Sequence, residues 1–359
     1  MTLFLASILL GIVPMVIYAL IVWRLDRWEK EPFPLMLAAF CWGAIPSVIF
    51  AIIAQNVLNF PTLLAEGEPV SIMAELYQAS LVAPVTEELL KGLGVWLILV
   101  LFRKEVDSIL DGLIYGSMVG FGFSAVENIL YFSGQPDAAS LMLLFFMRAF
   151  IFGMLHALFT GLTGVGFALG KFSGRPAMKI LWPILGLSLA IFTHALHNYF
   201  ATLGGENIAY AVLGISLGTI WFAVTVVVCL VHENRWIRIQ LSPEVANGVL
   251  YAGQALDAAA FWTRSSLSVF NQGFKTVFQR KRLLHQATEL AYKKQRILNL
   301  GSTPEREKDV IKLREDVRRL SRMDPLVTSG IIKPDRLLPP PLPPVRAFPP
   351  PIPKSGSNA

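Results

Sequence analysis

The fold is decided by an apolar run that carries three charged residues, LVAPVTEELLKGLGVWLILV (residues 81–100). A helical run of about 20 apolar residues is long enough to cross a bilayer. The whole chain fits that setting, because 54% of its 359 residues are hydrophobic and 16% are charged, whereas soluble proteins carry about 25% charged residues. This composition argues against a soluble enzyme, a collagen-like fibre and a fully disordered chain. Cys41 and Cys229 lie inside apolar runs and form neither a disulfide framework nor a metal motif.

Seven such runs precede residue 232, and they predict an all-α polytopic membrane protein with about seven transmembrane helices. The fifth run is long, so we expect it to tilt or to break near Gly153 or Gly161. The predicted spans are Leu3–Trp23, Pro34–Val57, Tyr77–Phe102, Leu110–Phe132, Ala139–Leu169, Ile180–Phe200 and Ile208–Val231.

The charges between the spans predict the orientation of the chain. Basic residues occur in the loops after spans one, three and five, and the other loops hold acidic residues but no Lys or Arg. Because basic loops face the cytoplasm, the N-terminus is predicted outside and the C-terminus inside. The multi-pass chain is therefore expected in a cell membrane, most simply a bacterial cytoplasmic membrane.

The composition changes after residue 231. Residues 1–231 hold 10 Lys and Arg against 14 Asp and Glu, and residues 232–359 hold 21 against 11. We interpret residues 1–231 as the transmembrane domain, 232–330 as a basic cytoplasmic helical region and 331–359 as a proline-rich disordered tail. A PxxPxR pattern at Pro341–Arg346 could take a cytoplasmic partner. The basic excess beside a bilayer indicates membrane orientation and not nucleic-acid binding.

Ionisable side chains inside the spans are the main functional signal, because each costs several kcal/mol in a membrane. Helical spacing lets Glu87 pair with Lys91, and lets His194 share a face with Asn198. Glycines at four-residue intervals, Gly112, Gly116 and Gly120, predict close packing of span four. The polar set in spans three to six is Glu87, Glu88, Lys91, Asp111, Glu127, Arg148, His156, His194, His197 and Asn198.

Carboxylates and imidazoles around a polar cavity can activate water, with or without a metal ion. Histidine and glutamate ligands suit Zn²⁺, although the HExxH signature is absent. The same residues could instead relay protons or bind a cation in a transporter. A catalytically inactive scaffold that acts through residues 232–359 is a third hypothesis.

Four ordered motifs resemble those of the PrsW family of intramembrane proteases. APVTEELLK (residues 83–91) is similar to its EExxK motif, and FSAVEN (123–128) to its FxxxEN motif. HALFTG (156–161) and HALHN (194–198) are similar to its two histidine motifs, and RWEKEP (27–32) to its first loop. The resemblance covers roughly residues 20–200. The distantly similar CAAX-processing and bacteriocin-immunity proteases carry a histidine where this chain has Glu127.

The resemblance implies an intramembrane endopeptidase that cuts membrane-anchored substrates, such as a single-pass anti-sigma factor in regulated intramembrane proteolysis. It implies that Glu87 activates water, supported by Glu88, while Lys91 orients or neutralises a glutamate. Asn198 would donate a hydrogen bond to the oxyanion. His156 and His194 are candidate metal ligands or oxyanion donors, and Glu127 is the candidate that completes the ligand set. A zinc mechanism and a metal-free Glu/His mechanism both stay open.

Overall fold

A computed structural model describes residues 2–26, 28, 30–58, 71–260 and 274–328. Every regular element in these ranges is helical. The chain divides into two compact units, the first ending at Val226 and the second comprising the residues after it together with residues 27–29. The predictions for the proline-rich tail, residues 331–359, and for its Pro341–Arg346 pattern lie outside the described residues.

The first unit is a bundle of long apolar helices. Three π-helical segments, Gly43–Ser47, Gln78–Val82 and Phe146–Ile151, interrupt them, and a 3₁₀ turn at Gly205–Asn207 precedes the last one. The helices are α1 (Thr2–Leu25), α2 (Phe33–Trp42), α3 (Val48–Leu58), α4 (Ile72–Tyr77), α5 (Ala83–Leu101), α6 (Ile109–Ser133), α7 (Ala138–Phe145), α8 (Leu155–Phe172), α9 (Pro176–Leu203) and α10 (Ile208–Ala246).

Six helical stretches of the described chain are long and apolar enough to cross a membrane. They correspond to the predicted spans one, two, four, five, six and seven. The predicted third span is also helical, over α4, the π-helical segment and α5. It is not among the six apolar stretches, and it carries Glu87, Glu88 and Lys91 close together. The fold is therefore that of the predicted all-α polytopic membrane protein.

Helix α6 lies at the centre of this unit. In the most apolar part of α6, 89% is buried inside the bundle, compared with at most 33% in the other five apolar stretches. The predicted glycine pattern explains how closely α8 packs on it. A Cβ at Gly112, Gly116 or Gly120 would overlap the backbone carbonyl oxygens of Gly164, Thr160 and His156, respectively. Small residues at this interface allow the two backbones to touch, and they fix the position of His156.

The predicted fifth span is broken near Gly153, one of the two places expected. Helix α7 passes into the π-helical segment, the chain turns, and α8 begins at Leu155. Gly161, the other candidate, lies inside α8. The break places His156 in the first turn of a new helix.

The second unit contains the end of α10 and four further helices. These are α11 (Ala252–Ala259), α12 (Phe274–Leu300), α13 (Pro304–Arg322) and α14 (Pro325–Thr328). Helices α12 and α13 lie within residues 232–330, the region interpreted as helical from the sequence. Glu244 has no exposed surface and pairs with Lys294 Nζ at 2.7 Å and Arg314 Nε at 2.8 Å. This buried ion cluster ties α10 to α12 and α13.

Candidate active site

Four helices bring the predicted charged residues into one hydrogen-bonded network. Helix α5 supplies Glu87, Glu88 and Lys91, α6 supplies Glu127, and α8 and α9 each supply a histidine. Tight packing of α8 against both α6 and α9 makes this convergence possible. The network includes six of the seven predicted site residues: Glu87, Glu88, Lys91, Glu127, His156 and His194.

Lys91 lies at the centre of the network and is fully buried. Its Nζ is 3.2 Å from Glu87 Oε2, 2.8 Å from Glu88 Oε1 and 3.0 Å from His156 Nδ1. It also lies 3.8 Å from the centre of the Phe123 ring, a cation–π contact. The predicted pair of Glu87 and Lys91 is thus confirmed, and one ammonium group contacts two adjacent carboxylates.

Glu88 is held on three sides and orients a histidine. Thr160 Oγ1 donates a 3.0 Å hydrogen bond to Glu88 Oε2, and His194 Nδ1 lies 3.1 Å from Glu88 Oε1. With Nδ1 engaged in this way, His194 directs Nε2 towards Glu87, whose Oε2 is 3.9 Å away. A carboxylate on the far nitrogen is the usual means of orienting a histidine that binds a metal.

Glu127 orients His156 in the same way. Its Oε2 is 2.7 Å from His156 Nε2 and 2.6 Å from an Arg148 guanidinium nitrogen. Arg148 Nε in turn donates a 2.7 Å hydrogen bond to the Asn128 side-chain oxygen. Arg148 is therefore the cationic partner of Glu127. The guanidinium group therefore fixes the carboxylate that fixes the imidazole.

A metal ion would find its ligands in Glu87, His156 and His194. These three buried residues each offer a ligand atom, and the atoms lie within 4.8 Å of one another. The set differs from the predicted one because Glu87 stands in place of Glu127, which contacts the other nitrogen of His156. One carboxylate and two imidazoles suit Zn²⁺ and leave a position for water. The ligand atoms of a tetrahedral zinc site lie about 3.4 Å apart. Zinc binding would therefore bring the three ligand atoms closer together, and it would require Lys91 Nζ to leave Glu87 and His156.

Two amide side chains complete the surroundings. Gln55 Nε2 donates to Glu87 Oε1 at 3.2 Å, a role that sequence reasoning missed. The available signal was a pair of adjacent amides, Gln55 and Asn56, near the end of a largely apolar span. Asn198, the seventh predicted site residue, donates its Nδ2 to the Ala79 carbonyl oxygen at 2.8 Å. That carbonyl belongs to the π-helical segment before α5, so Asn198 anchors the helix that carries the glutamates.

The network forms part of the wall of a cavity of about 910 Å³. Glu87, Glu127, Arg148, His156, His194 and Asn198 line its polar part. It extends to Glu75, Gln78, Tyr131 and Thr202, which lie near those ends of α4, α6 and α9 that the predicted orientation places outside. The cavity is large enough for several residues of an extended peptide as well as water.

The fold and the site define a multi-pass membrane protein with a buried Glu/His centre inside its helical bundle. Residues 31–231, more than half of the chain, match the family described as PrsW family intramembrane metalloprotease, and the chain belongs to this family. All four motifs named above lie within the match.

Curated relatives support the same conclusion. The chain is 28% identical to Protease PrsW of Geobacillus kaustophilus over 59% of this chain and 86% of the relative. It is 27% identical to Protease PrsW of Bacillus subtilis over 61% of this chain and 93% of the relative. A third relative, Protease PrsW of Clostridioides difficile, is 25% identical over 53% and 77%. No solved structure shows a significant match to the chain.

Proposed function

We propose that this membrane protease is a zinc-dependent endopeptidase that cuts single-pass membrane proteins close to the outer face of the bilayer. One observation carries the proposal. Glu87, His156 and His194 offer ligand atoms within 4.8 Å of one another, and all three line a cavity of about 910 Å³. Buried groups of this kind are costly in a membrane and are retained for function.

Glu87 has two roles in this proposal, because one oxygen of its carboxylate would bind Zn²⁺ and the other would accept a proton. It lines the cavity, whereas Glu88 is fully buried and committed to Thr160, Lys91 and His194. A carboxylate within hydrogen-bonding reach of a water molecule accepts its proton as the water attacks the peptide carbonyl. The same carboxylate can then return the proton to the departing amine. Gln55 holds the Glu87 oxygen that does not face the lysine, and thereby limits its rotation.

The remaining groups hold this geometry. Glu88 and Glu127 orient His194 and His156 through their far nitrogens. Zn²⁺ bound by Glu87 and the two histidines would polarise the substrate carbonyl and lower the pKa of water to about 7.

The position of the cavity supports the proposed substrate class. Under the predicted topology its open end lies at the outer ends of α4, α6 and α9. A peptide must leave its helical hydrogen bonds before its carbonyl can be attacked, and it does so most easily near the end of a transmembrane helix. A single-pass protein with an anti-sigma-factor-like arrangement, inserted with an external domain, meets this requirement.

The first test compares protein termini in membranes from cells that express wild type or Glu87→Gln at equal levels. We expect new termini near the outer end of a single-pass protein in the wild type alone. Glu206→Gln is the matched control, because Glu206 is exposed in the turn before α10 and makes the same chemical change. Identical termini in all three samples, under several envelope stresses, would contradict the proposal and favour the transporter or scaffold hypotheses.

A second test addresses zinc. Purified wild type and Glu206→Gln should each bind about one zinc ion per chain, measured by elemental analysis, and lose cleavage activity with a chelator. His194→Gln should bind no zinc. Full activity of zinc-free protein would leave the protease assignment standing and refute the metal dependence.

A further inference from the structure

His197 is a buried histidine that the proposed reaction does not use. It lies one turn beyond His194 on α9 and lines the same cavity. Its ring packs edge-on against Phe152, with centroids 5.0 Å apart, and lies 6.3 Å from Phe159. Its Nδ1 is buried and has no hydrogen-bond partner among the described residues, whereas Nε2 is not enclosed in this way.

The environment of the ring determines which nitrogen carries the proton in the neutral imidazole. A neutral histidine has one N–H donor and one bare acceptor nitrogen. Burying an N–H group without an acceptor is rarer in proteins than leaving an acceptor unsatisfied. The proton of His197 therefore belongs on Nε2, the nitrogen that the cavity can reach. The ring presents an uncharged donor to whatever enters.

We infer that His197 is a substrate-binding residue whose Nε2–H donates a hydrogen bond to a backbone carbonyl of the substrate peptide. This inference rests on the proposed function. The family resemblance implied that Asn198 donates a hydrogen bond to the oxyanion, but that amide donates to the Ala79 carbonyl oxygen in the structure. His197, the preceding residue, offers a donor with no competing partner in the described chain. A peptide backbone that leaves water for a cavity inside the bundle requires such a partner for its carbonyl groups.

The test measures binding in an inactive background, so that it does not depend on turnover. Chain carrying Glu87→Gln is titrated in detergent with a fluorescent single-pass transmembrane peptide, and its Kd is measured by anisotropy. Adding His197→Phe keeps an aromatic ring against Phe152 but removes the donor, and we expect a Kd about tenfold higher, the loss of one hydrogen bond. Adding His197→Gln, which restores an N–H near the Nε2 position, should bring the Kd within about threefold of the starting value.

Controls separate this role from a structural one. His285→Phe makes the same change at an exposed position of α12 and should leave the Kd unchanged. Zinc content and thermal unfolding should be the same in all variants, since His197 is outside the ligand set. An unchanged Kd in His197→Phe, or a loss of binding that His197→Gln does not restore, would overturn the inference. If the wild-type chain does not cleave a single-pass substrate, that result would instead count against the proposed function.

Discussion

The glycine contact between α6 and α8 allows the geometry of the site to be perturbed without changing a polar residue. In Gly120→Ala the added methyl group would overlap the His156 carbonyl oxygen and lie 2.7 Å from the Ala157 backbone nitrogen. Ordinary van der Waals contact begins at 3.4 Å. Because backbone atoms cannot rotate away from the methyl group, relieving the contact with the Ala157 nitrogen alone requires α6 and α8 to move apart by about 0.7 Å.

We expect this displacement of the helices to lower the activity more than it lowers the stability. Overpacking of this kind costs about 1–3 kcal/mol, and a misplacement near 1 Å can lower a reaction rate about 100-fold. We therefore expect Gly120→Ala to remain folded and to cleave about 100-fold more slowly. Cleavage of a single-pass reporter and thermal unfolding of the same preparations measure the two effects.

Two matched variants make the reasoning refutable. Gly112→Ala creates a similar overlap with the Gly164 carbonyl oxygen, and Gly112 lies about 12 Å from Gly120 along the axis of α6. It should lose similar stability but much less activity. Gly214→Ala, on α10, meets nothing within 4 Å in the described chain and should change neither. Equal loss of activity in Gly112→Ala and Gly120→Ala would show that general packing, and not the position of His156, explains the effect.

Four further predictions follow from single contacts. Thr160→Val removes the hydroxyl donor to Glu88 at similar volume and should lower kcat about tenfold, measured by reporter cleavage. Arg148→Met leaves the carboxylate on His156 without its cation and should lower kcat more than KM changes. Lys91→Met should make thermal stability depend on added zinc, which unfolding with and without chelator measures. Glu244→Gln breaks a buried ion cluster and should destabilise the second unit by about 3 kcal/mol, measured by limited proteolysis of residues 274–328.

Local spacing accounts for what the sequence predicted well. Glu87 and Lys91 share a helix face because they are four residues apart, and the structure pairs them. Gly112, Gly116 and Gly120 recur every four residues, and the structure packs them against α8. Such relations depend only on the helical repeat, and the long apolar runs are sufficient to predict that these segments are helices.

Contacts between distant parts of the chain were not accessible in this way. Gln55 reaches Glu87 across 32 residues and Thr160 reaches Glu88 across 72 residues. Their pairing depends on helix rotation, which apolar runs determine poorly because all faces are apolar. The exchange of Glu87 for Glu127 in the group of candidate ligands has the same origin. Depth along a helix can be counted from sequence, but the direction of a side chain cannot.

The charge balance of the network explains why a lysine lies where a cation is proposed to bind. Glu87, Glu88 and Glu127 supply three negative charges, and Lys91 and Arg148 supply two positive ones. With neutral histidines the buried group is one positive charge short, and an uncompensated buried charge costs several kcal/mol. Without Lys91 the deficit is two, which equals the charge of a divalent ion. The lysine can therefore keep the metal-free site folded, and its displacement by a divalent ion would raise the compensating positive charge from two to three, which equals the negative charge of the three carboxylates.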